Sequence, residues 1–361
     1  MIGRRVAFTG VGRVEIESFD VPAPARDQIL IEAIHSTISP GTERAHLLAE
    51  PNTGTGKRGF PFYPGYANIG RIVSVGSDVT GYRVGQIVAT ERPHQSHILM
   101  PAIYGNSLPP EKYRQEFRSR ISPDVDYVIH HLIWPLRDDL DSATLKACSL
   151  FAVSKVGLHG VRRARIELGE AVLVVGLGLI GASAAQYARL FGGLPVLGID
   201  PSESRRALAK AVGCDRVFES AAAFARDAPA MFGPAPPVVI EASGRPEAIP
   251  DAFRLCGQNG RVILLGSTRG VTENVNFYSD VHKKGLVITG VQALTRPMHE
   301  SHPGDWTDWD DTQLVIRLIC SGRLDTASLI TDEFSADDAP LAYEAICDSN
   351  GAIGVVLNWE S

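Results

Sequence analysis

Three glycines between an apolar run and an alanine-rich segment have the spacing of a phosphate-binding turn. Gly176, Gly178 and Gly181 form the pattern GxGxxG within VLVVGLGLIGASAAQYARLFG. The first glycine permits a tight turn, the second lets the backbone approach a pyrophosphate, and the third lets helix and strand pack closely. The amides that open the helix, at Leu179 and Ile180, favour an anion. The pattern predicts a dinucleotide site.

An acidic residue follows the next strand-like run. Asp200 ends PVLGID, 22 residues after Gly178. A carboxylate at this position accepts hydrogen bonds from the adenosine ribose and repels a 2′-phosphate, so we expect NAD rather than NADP. Arg205 and Arg206 follow on the next predicted helix. We interpret them as solvated charges, although an arginine near this position can bind a 2′-phosphate.

Two later strand-like runs end in small polar residues. EASG covers Glu241 to Gly244, and LLGS covers Leu264 to Ser267. Ligands of doubly wound sheets bind outside the carboxyl ends of the strands. Ordinary turns are the alternative interpretation for these residues. The candidates for contact with the nicotinamide and its ribose are Ser243, Gly244, Gly266 and Ser267.

The composition is that of a soluble globular protein of 361 residues, a length that predicts two domains. Hydrophobic residues make up 44% and charged residues 21%, which excludes a disordered chain. The formal net charge of −6 argues against a nucleic-acid partner. Five cysteines occur with no CxxC pair, so neither a disulfide framework nor a structural zinc lobe is expected. With no long apolar run and no signal-peptide pattern, we expect no membrane partner and a cytoplasmic location.

The hydrophobic pattern changes character near residue 150. Before it, short β-like runs such as QILIEAIHSTI and NIGRIVSVGSDV are separated by Gly and Pro, which predicts an all-β, barrel-like unit. After it, apolar strands alternate with helices, which predicts an α/β domain with a doubly wound parallel sheet. The terminal run AIGVVLNW must pair as a strand, and we expect it on the N-terminal unit. Residues 103–133 do not follow the pattern of short β-like runs, and we interpret them as a lid, an interface element or a surface excursion.

Three segments carry a family resemblance over nearly the whole chain. They are FPFYPGYANIGRIVSVGSDVTGYRVGQIV, SKVGLHGVRRARIELGEAVLVVGLGLIG and ASLITDEFSADDAPLAYEAI. Together they resemble the medium-chain dehydrogenase/reductase superfamily, and STISPGTE resembles most its bacteriochlorophyllide dehydrogenase-like branch. The resemblance implies a GroES-like catalytic domain at 1–150 and 293–361 around a Rossmann NAD-binding domain at 151–292. It also implies a homodimer or homotetramer, formed through the edge strand LVITGV.

The chain departs from the zinc-dependent members of that superfamily at each expected ligand. Pro40 stands at the position of the cysteine, Tyr66-Ala67 replaces a His-Glu pair, and the later acidic ligand falls near Ala152. Proline and alanine cannot bind a metal, and tyrosine rarely binds zinc. We therefore expect a zinc-independent enzyme with no metal ligands.

Without zinc, another group must stabilise or protonate an alkoxide during hydride transfer. Thr42 matches the hydroxyl through which the family relays the substrate proton, and Tyr66 can donate a phenolic hydrogen bond to the carbonyl oxygen. Lys155 lies one helical turn beyond the lost acidic ligand, in the apolar run SLFAVSKVGLHG. Burial of an unpaired lysine would lower its pKa toward acid–base values. Near the nicotinamide, Lys155 could act as the general acid–base or fix the cofactor ribose. The alternative is a lysine that reaches solvent.

Other charged and histidine-bearing segments have weaker functional interpretations. Lys57 and Arg58, in NTGTGKRG, are interpreted as charges of a solvated loop, with closure over an anionic substrate as the alternative. The histidines could suggest a metal site, but nothing in the sequence brings His94 and His97 together with His130 and His131.

The sequence leaves three hypotheses for function. The favoured one is an NAD-dependent alcohol dehydrogenase that moves hydride between nicotinamide and a secondary alcohol or ketone of a polyol, sugar-like or cyclic substrate. The second is an enoyl- or quinone-type reductase, against which Asp200 counts because such enzymes often prefer NADPH. The third is a catalytically idle NAD(H)-binding protein.

Overall fold

A computed structural model describes residues 1–103, 105, 132–233, 235–297, 300–348 and 352–360. Most of the irregular segment predicted at 103–133, with His130 and His131, lies outside these residues. Among the helices that are described, none is both long and apolar enough to cross a membrane. Two large sheets, one parallel and one mostly antiparallel, organise the chain.

The six strands predicted in the second half of the chain form one parallel sheet. Its strands are β8 (Val172–Val175), β9 (Val196–Ile199), β10 (Arg216–Phe218), β11 (Val238–Glu241), β12 (Arg261–Leu264) and β13 (Val287–Gly290). Their order is β10-β9-β8-β11-β12-β13, the doubly wound order in which the direction of winding reverses beside the first strand. The predicted Rossmann sheet is confirmed.

Four α-helices connect the first five of these strands. The connecting helices are α5 (Leu179–Leu190), α6 (Glu203–Val212), α7 (Ala221–Phe232) and α8 (Ala248–Leu255). A six-residue π-helix spans Phe277–His282. The alternation of strands and helices expected from the sequence is present, and α7 contains Pro229 within the helix.

The other sheet has seven strands. Six of them lie side by side in one continuous order, and the seventh, β6, pairs with β3. They are β3 (Gln28–Ile38), β4 (Asn68–Val75), β5 (Ile87–Thr90), β6 (His97–Pro101), β7 (Ile133–Pro135), β14 (Ile330–Ser335) and β15 (Gly354–Asn358). The terminal strand β15 pairs antiparallel with β3, as predicted. Strands β1 (Ile2–Gly10) and β2 (Arg13–Asp20) form a separate antiparallel pair.

The expectation of an all-β N-terminal unit is wrong in one respect, because short helices interrupt the strands. They are α1 (Pro40–Leu47), α2 (Gly54–Arg58) and α3 (Ser142–Cys148). Pro40 suits the first turn of a helix, where its missing N–H has no partner to lose. The segment NTGTGKRG was predicted as a loop, but the Thr53 side chain accepts a hydrogen bond from Gly56 N and starts α2.

Helix α4 (Phe151–Ala164) lies between the two sheets, and α9 (Asp308–Cys320) packs against it. Twelve of the fourteen residues of α4 are buried. Glycines make this packing close, since an added Cβ at Gly157 would stand 3.0 Å from Ala184 N and one at Gly160 would stand 2.8 Å from Leu265. Helix α10 (Ala339–Cys347) covers β1 and β15. The predicted domain boundaries, at 150/151 and 292/293, lie between the residue ranges of the two sheets. The division into these two domains stays a prediction.

Candidate functional site

The GxGxxG turn joins β8 to α5 in a conformation that requires its glycines. Gly176 has a φ of +88°, which disfavours any residue with a Cβ. A Cβ on Gly181 would stand 1.8 Å from Gly176 O, so only glycine allows this contact. Around Gly178, by contrast, an added Cβ would meet no atom within 4 Å. The turn therefore packs tightly on its inner side and leaves open space beside Gly178.

Helix α5 starts at this open space without a side-chain cap. Gly178 is its N-cap residue, and Leu179 and Ile180 form its first turn. The amide groups of an uncapped first turn and the helix dipole favour an anion. The cradle fits the pyrophosphate of a dinucleotide.

Asp200 lies at the end of β9, beside the same turn. Its carboxylate accepts hydrogen bonds from Leu177 N at 2.8 Å and from Ser202 N at 2.9 Å. These contacts hold the buried side chain in place, and a carboxylate has further lone pairs with which to accept ribose hydroxyls. The role expected for Asp200 toward the adenosine ribose is compatible with this geometry and stays a prediction.

The two arginines after Asp200 differ in their contacts. Arg206 donates hydrogen bonds to the carbonyl oxygens of Asp200 and Pro201, both at 2.8 Å, so it stabilises the turn. Arg205 is half-buried in the first turn of α6, and its backbone amide meets Ser202 Oγ at 3.5 Å.

The ends of β8, β11 and β12 come together beside the GxGxxG turn. A Cβ on Gly176 would stand 2.6 Å from Ser243 Cα, and one on Gly266 would stand 2.4 Å from Gly244 N. Ser243 is also tied to its own strand, because its backbone amide donates to Glu241 Oε1 at 2.8 Å. Ser267 is exposed at the rim. The four candidates from these two strand ends therefore line one edge of the sheet, as predicted.

Three hydroxyl groups meet at the start of α1. Ser39 precedes α1, Thr42 lies in its first turn, and both hydrogen-bond the side chain of Tyr66. Burial raises the pKa of Tyr66 to about 12, and the Ser39 and Thr42 hydrogen bonds partly offset that rise. The phenol therefore remains protonated at neutral pH and can donate a hydrogen bond. The predicted pair of Thr42 and Tyr66 is brought together.

The side chains at the former ligand positions do not fit a catalytic zinc ion. Pro40 and the buried Ala67 and Ala152 offer no donor atom. A zinc ligand must be deprotonated, and the raised pKa of Tyr66 opposes that. Within the described ranges, no group of three or more His, Cys, Asp or Glu side chains is arranged to hold a metal ion.

Lys155 is buried in a network of charges, which corrects the expectation of an unpaired lysine. Its ammonium contacts Glu91 and lies 2.7 Å from Asp308 Oδ1. Arg296 donates to Asp308 Oδ1 at 3.0 Å and to Lys155 O at 3.0 Å. The alternative of a lysine reaching solvent is also wrong, because the side chain is only 3% exposed. An acid–base role for Lys155 stays a prediction.

Glu91 connects this network to the hydroxyl cluster, which consists of Ser39, Thr42 and Tyr66. Burial raises the pKa of Glu91 to about 7, against the opposing effect of Lys155. The same carboxylate also contributes to the raised pKa of Tyr66. Sequence reasoning missed Glu91, although it directly follows the apolar run of β5. It also missed Asp308 and Arg296. No local pattern links them to Lys155, which lies 153 and 141 residues earlier in the chain.

His94 has a structural environment. Its Nδ1 lies 2.8 Å from Ser36 Oγ and its Nε2 lies 3.1 Å from Glu43 Oε2. The Tyr343 hydroxyl donates to the same Glu43 oxygen. This buried chain of hydrogen bonds fixes α1, and with it Thr42, against α10.

Comparisons with known proteins agree with this architecture. A family model described as zinc-binding dehydrogenase matches residues 180–306. The chain is 28% identical over 311 residues to L-arabinitol 4-dehydrogenase of Hypocrea jecorina, covering 81% of this chain and 75% of that protein. It is 25% identical to sorbitol dehydrogenase of Bos taurus, covering 93% and 90%. A protein described as a zinc-binding dehydrogenase from Sinorhizobium meliloti 1021, bound to NADP, superposes with a TM-score of 0.75 at 20% identity, covering 99% of each chain.

Proposed function

Because this chain is an oxidoreductase that belongs to the medium-chain dehydrogenase/reductase superfamily, we propose that it interconverts a secondary alcohol and a ketone with NAD and without zinc. The curated relatives named above act on L-arabinitol and sorbitol, which supports a polyol, sugar-like or cyclic substrate. The observation that carries the proposal is the contact between Thr42 and Tyr66 at a site where Pro40, Ala67 and Ala152, at three of the four zinc-ligand positions, offer no donor atom.

The nicotinamide cofactor supplies the hydride chemistry, and the chain supplies its binding site. Gly178 and the first turn of α5 would hold the pyrophosphate, and Asp200 the adenosine ribose. Gly244, Gly266 and Ser267 stand at the strand ends where the nicotinamide half would bind. The carboxylate of Asp200 favours NAD, because a 2′-phosphate would be placed against a negative charge.

Tyr66 is the group best suited to hold the reacting oxygen. Its phenol remains protonated at neutral pH and can donate to a carbonyl oxygen or a developing alkoxide. Thr42 and Ser39 can pass a proton between that oxygen and solvent, since a hydroxyl both donates and accepts. The protein thus offers a hydroxyl relay in place of a Lewis acid.

A cofactor titration with a parallel zinc assay tests this proposal. We expect NADH to bind at least tenfold more tightly than NADPH, with less than about a tenth of an equivalent of zinc, and NAD to be reduced with a polyol or cyclitol. Stoichiometric zinc would overturn the metal-free mechanism. A preference for NADPH would favour an enoyl- or quinone-type reductase, and the absence of turnover with every alcohol would favour an idle NAD(H)-binding protein.

We also propose that the protein forms a homodimer or a homotetramer. Strand β13 lies at one edge of the parallel sheet, and the side chain of Val287 on it is 56% exposed. An exposed edge strand can pair with the same strand of a second copy. Size measurement in solution tests this, and Val287→Lys should shift the protein toward the monomer.

A further inference from the structure

Arg269 is a half-buried cation at the boundary between the two sheets. It follows Ser267 by two residues, on the segment that leaves β12. Its guanidinium donates one long hydrogen bond, 3.3 Å to Asn52 O, and forms no ion pair with any carboxylate of the described residues. Burial lowers the pKa of Arg269, and the charge of Glu50 offsets this only in part. The nearby Glu50 is itself paired with Arg44 at 2.9 Å.

The segment that carries Arg269 connects the cofactor edge to the catalytic domain. Asn52 Nδ2 donates to Thr268 O at 3.2 Å, and Arg269 donates back to Asn52 O. These two hydrogen bonds join the end of β12 to the loop before α2. They place the guanidinium beside the loop before α2, two residues along the chain from Ser267 at the proposed nicotinamide site.

Two side chains, Tyr66 and His46, lie close enough to the guanidinium of Arg269 to interact with its charge. Tyr66 lies close enough to Arg269 to affect the pKa of the guanidinium. His46, whose ring stacks on Phe62 with centroids 4.4 Å apart, has its pKa lowered by burial and by the positive charge of Arg269. The buried Nδ1 of His46 has no hydrogen-bond partner among the described residues. A cation and an unpartnered imidazole nitrogen thus lie near each other, and the cation also lies near Tyr66.

A half-buried guanidinium without a carboxylate is costly unless a ligand supplies the negative charge. Arginine binds carboxylates and phosphates through two parallel hydrogen bonds, which suits an anion entering from the cleft. The described neighbours of Arg269 place no negative charge in direct contact with the guanidinium, because its hydrogen bond is to the neutral carbonyl of Asn52.

We propose that Arg269 binds an anionic group, a carboxylate or a phosphate, on the substrate whose reacting oxygen is held by Tyr66. The inference rests on the proposed function and narrows its substrate class to sugar acids or polyol phosphates. The anion would lie on the catalytic-domain side of the nicotinamide site, with His46 as a second polar neighbour. Arg269 would then set specificity without taking part in hydride transfer.

The test compares Arg269→Gln with the parent protein in binding and in turnover. Inorganic phosphate and acetate are titrated into the NADH-loaded protein by calorimetry, and KM is measured for sorbitol, gluconate and sorbitol 6-phosphate. We expect Arg269→Gln to weaken binding of the preferred anion by about 10- to 100-fold and to raise KM for the matching charged substrate equally, with KM for sorbitol unchanged. Whether phosphate or acetate binds more tightly identifies the anion.

Two control variants keep the test decisive. Arg269→Lys retains the charge and should keep part of the anion affinity, whereas Arg226→Gln removes an exposed arginine of α7 and should change nothing. If Arg269→Gln instead weakens NADH binding, the guanidinium binds the pyrophosphate of the cofactor and the inference is overturned. If the parent binds neither anion and shows equal KM values for charged and neutral substrates, it is also overturned. The binding arm needs no turnover, so a failure of the proposed reaction is distinguishable.

Discussion

The ammonium of Lys155 lies 2.7 Å from Asp308 Oδ1, which joins helix α4 to helix α9 through a buried ion pair. Glu91, which follows β5, contacts the same ammonium, and Arg296 contacts the same oxygen of Asp308. Four charged side chains therefore meet between the two sheets, directly behind the hydroxyl cluster. Such a network orients the elements that carry the site, because each member fixes the position of the next.

Removal of Lys155 tests what this network contributes. We expect Lys155→Met to lower the free energy of unfolding by about 3–5 kcal/mol, because it leaves the carboxylates of Glu91 and Asp308 without their shared cation. Urea unfolding measures this change. Adding Glu91→Gln should recover part of the loss, since it removes the buried charge that Lys155 had offset, whereas Asp308 keeps its contact with Arg296. A Lys155→Met protein as stable as the parent would show that the network is not a stabilising element.

The hydroxyl pair is tested by substitutions that keep its shape. Tyr66→Phe and Thr42→Val should each lower kcat by about 100-fold or more with a polyol that the parent oxidises, because they remove a donor to the reacting oxygen or a proton relay. NADH affinity should remain within twofold of the parent value, measured by fluorescence titration. Unchanged kcat in both variants would contradict the assignment of the reacting oxygen to this pair.

The pyrophosphate cradle predicts that two nearby glycines differ in their effect on stability, although both affect cofactor binding. Gly178→Ala should weaken NADH binding by at least tenfold, because the methyl group enters the space beside the turn, with the free energy of unfolding within about 1 kcal/mol of the parent value. Gly181→Ala is the matched contrast, since its Cβ would stand 1.8 Å from Gly176 O and must distort the turn. We expect it to lower the melting temperature as well as the affinity. Full NADH affinity in Gly178→Ala would contradict the cradle.

His159 predicts a loss of stability in acid. Burial, together with the charges of Arg296 and Arg163, lowers the pKa of His159 to about 3. A histidine that resists protonation when folded takes up a proton on unfolding below its ordinary pKa of about 6.5. Its contribution to stability is therefore complete above pH 6.5 and is lost as the pH falls toward 3.

Substitution of His159 should flatten this dependence. Between pH 6 and pH 4, we expect His159→Gln to reduce the slope of unfolding free energy against pH by about 1.4 kcal/mol per unit. Urea unfolding at a series of pH values measures the slope, and the range from pH 7 to pH 8 is the internal control because the imidazole is neutral in both states there. Equal slopes for parent and variant in acid would contradict the lowered pKa.

Local patterns predicted the parallel sheet well. Continuous Val, Ile and Leu runs and the GxGxxG spacing act over fewer than thirty residues, and all six strands appear where they were expected. The helices α1 to α3 were missed, because each is only five to eight residues long and depends on a local feature such as Pro40 or the Thr53 cap. The terminal strand was predicted correctly, since an apolar run of that length must pair with another strand.

The sequence by itself determined the GxGxxG turn, the acid that follows β9 and the residue types at Pro40, Tyr66 and Ala67, because each depends on residue type and short spacing. Only the tertiary structure decided the state of Lys155 and the position of Arg269. Glu91 and Asp308 reach Lys155 from 64 and 153 residues away, and Asn52 meets Arg269 across 217. Whether a buried charge is paired depends on which distant side chains the fold brings beside it, and no local pattern carries that information.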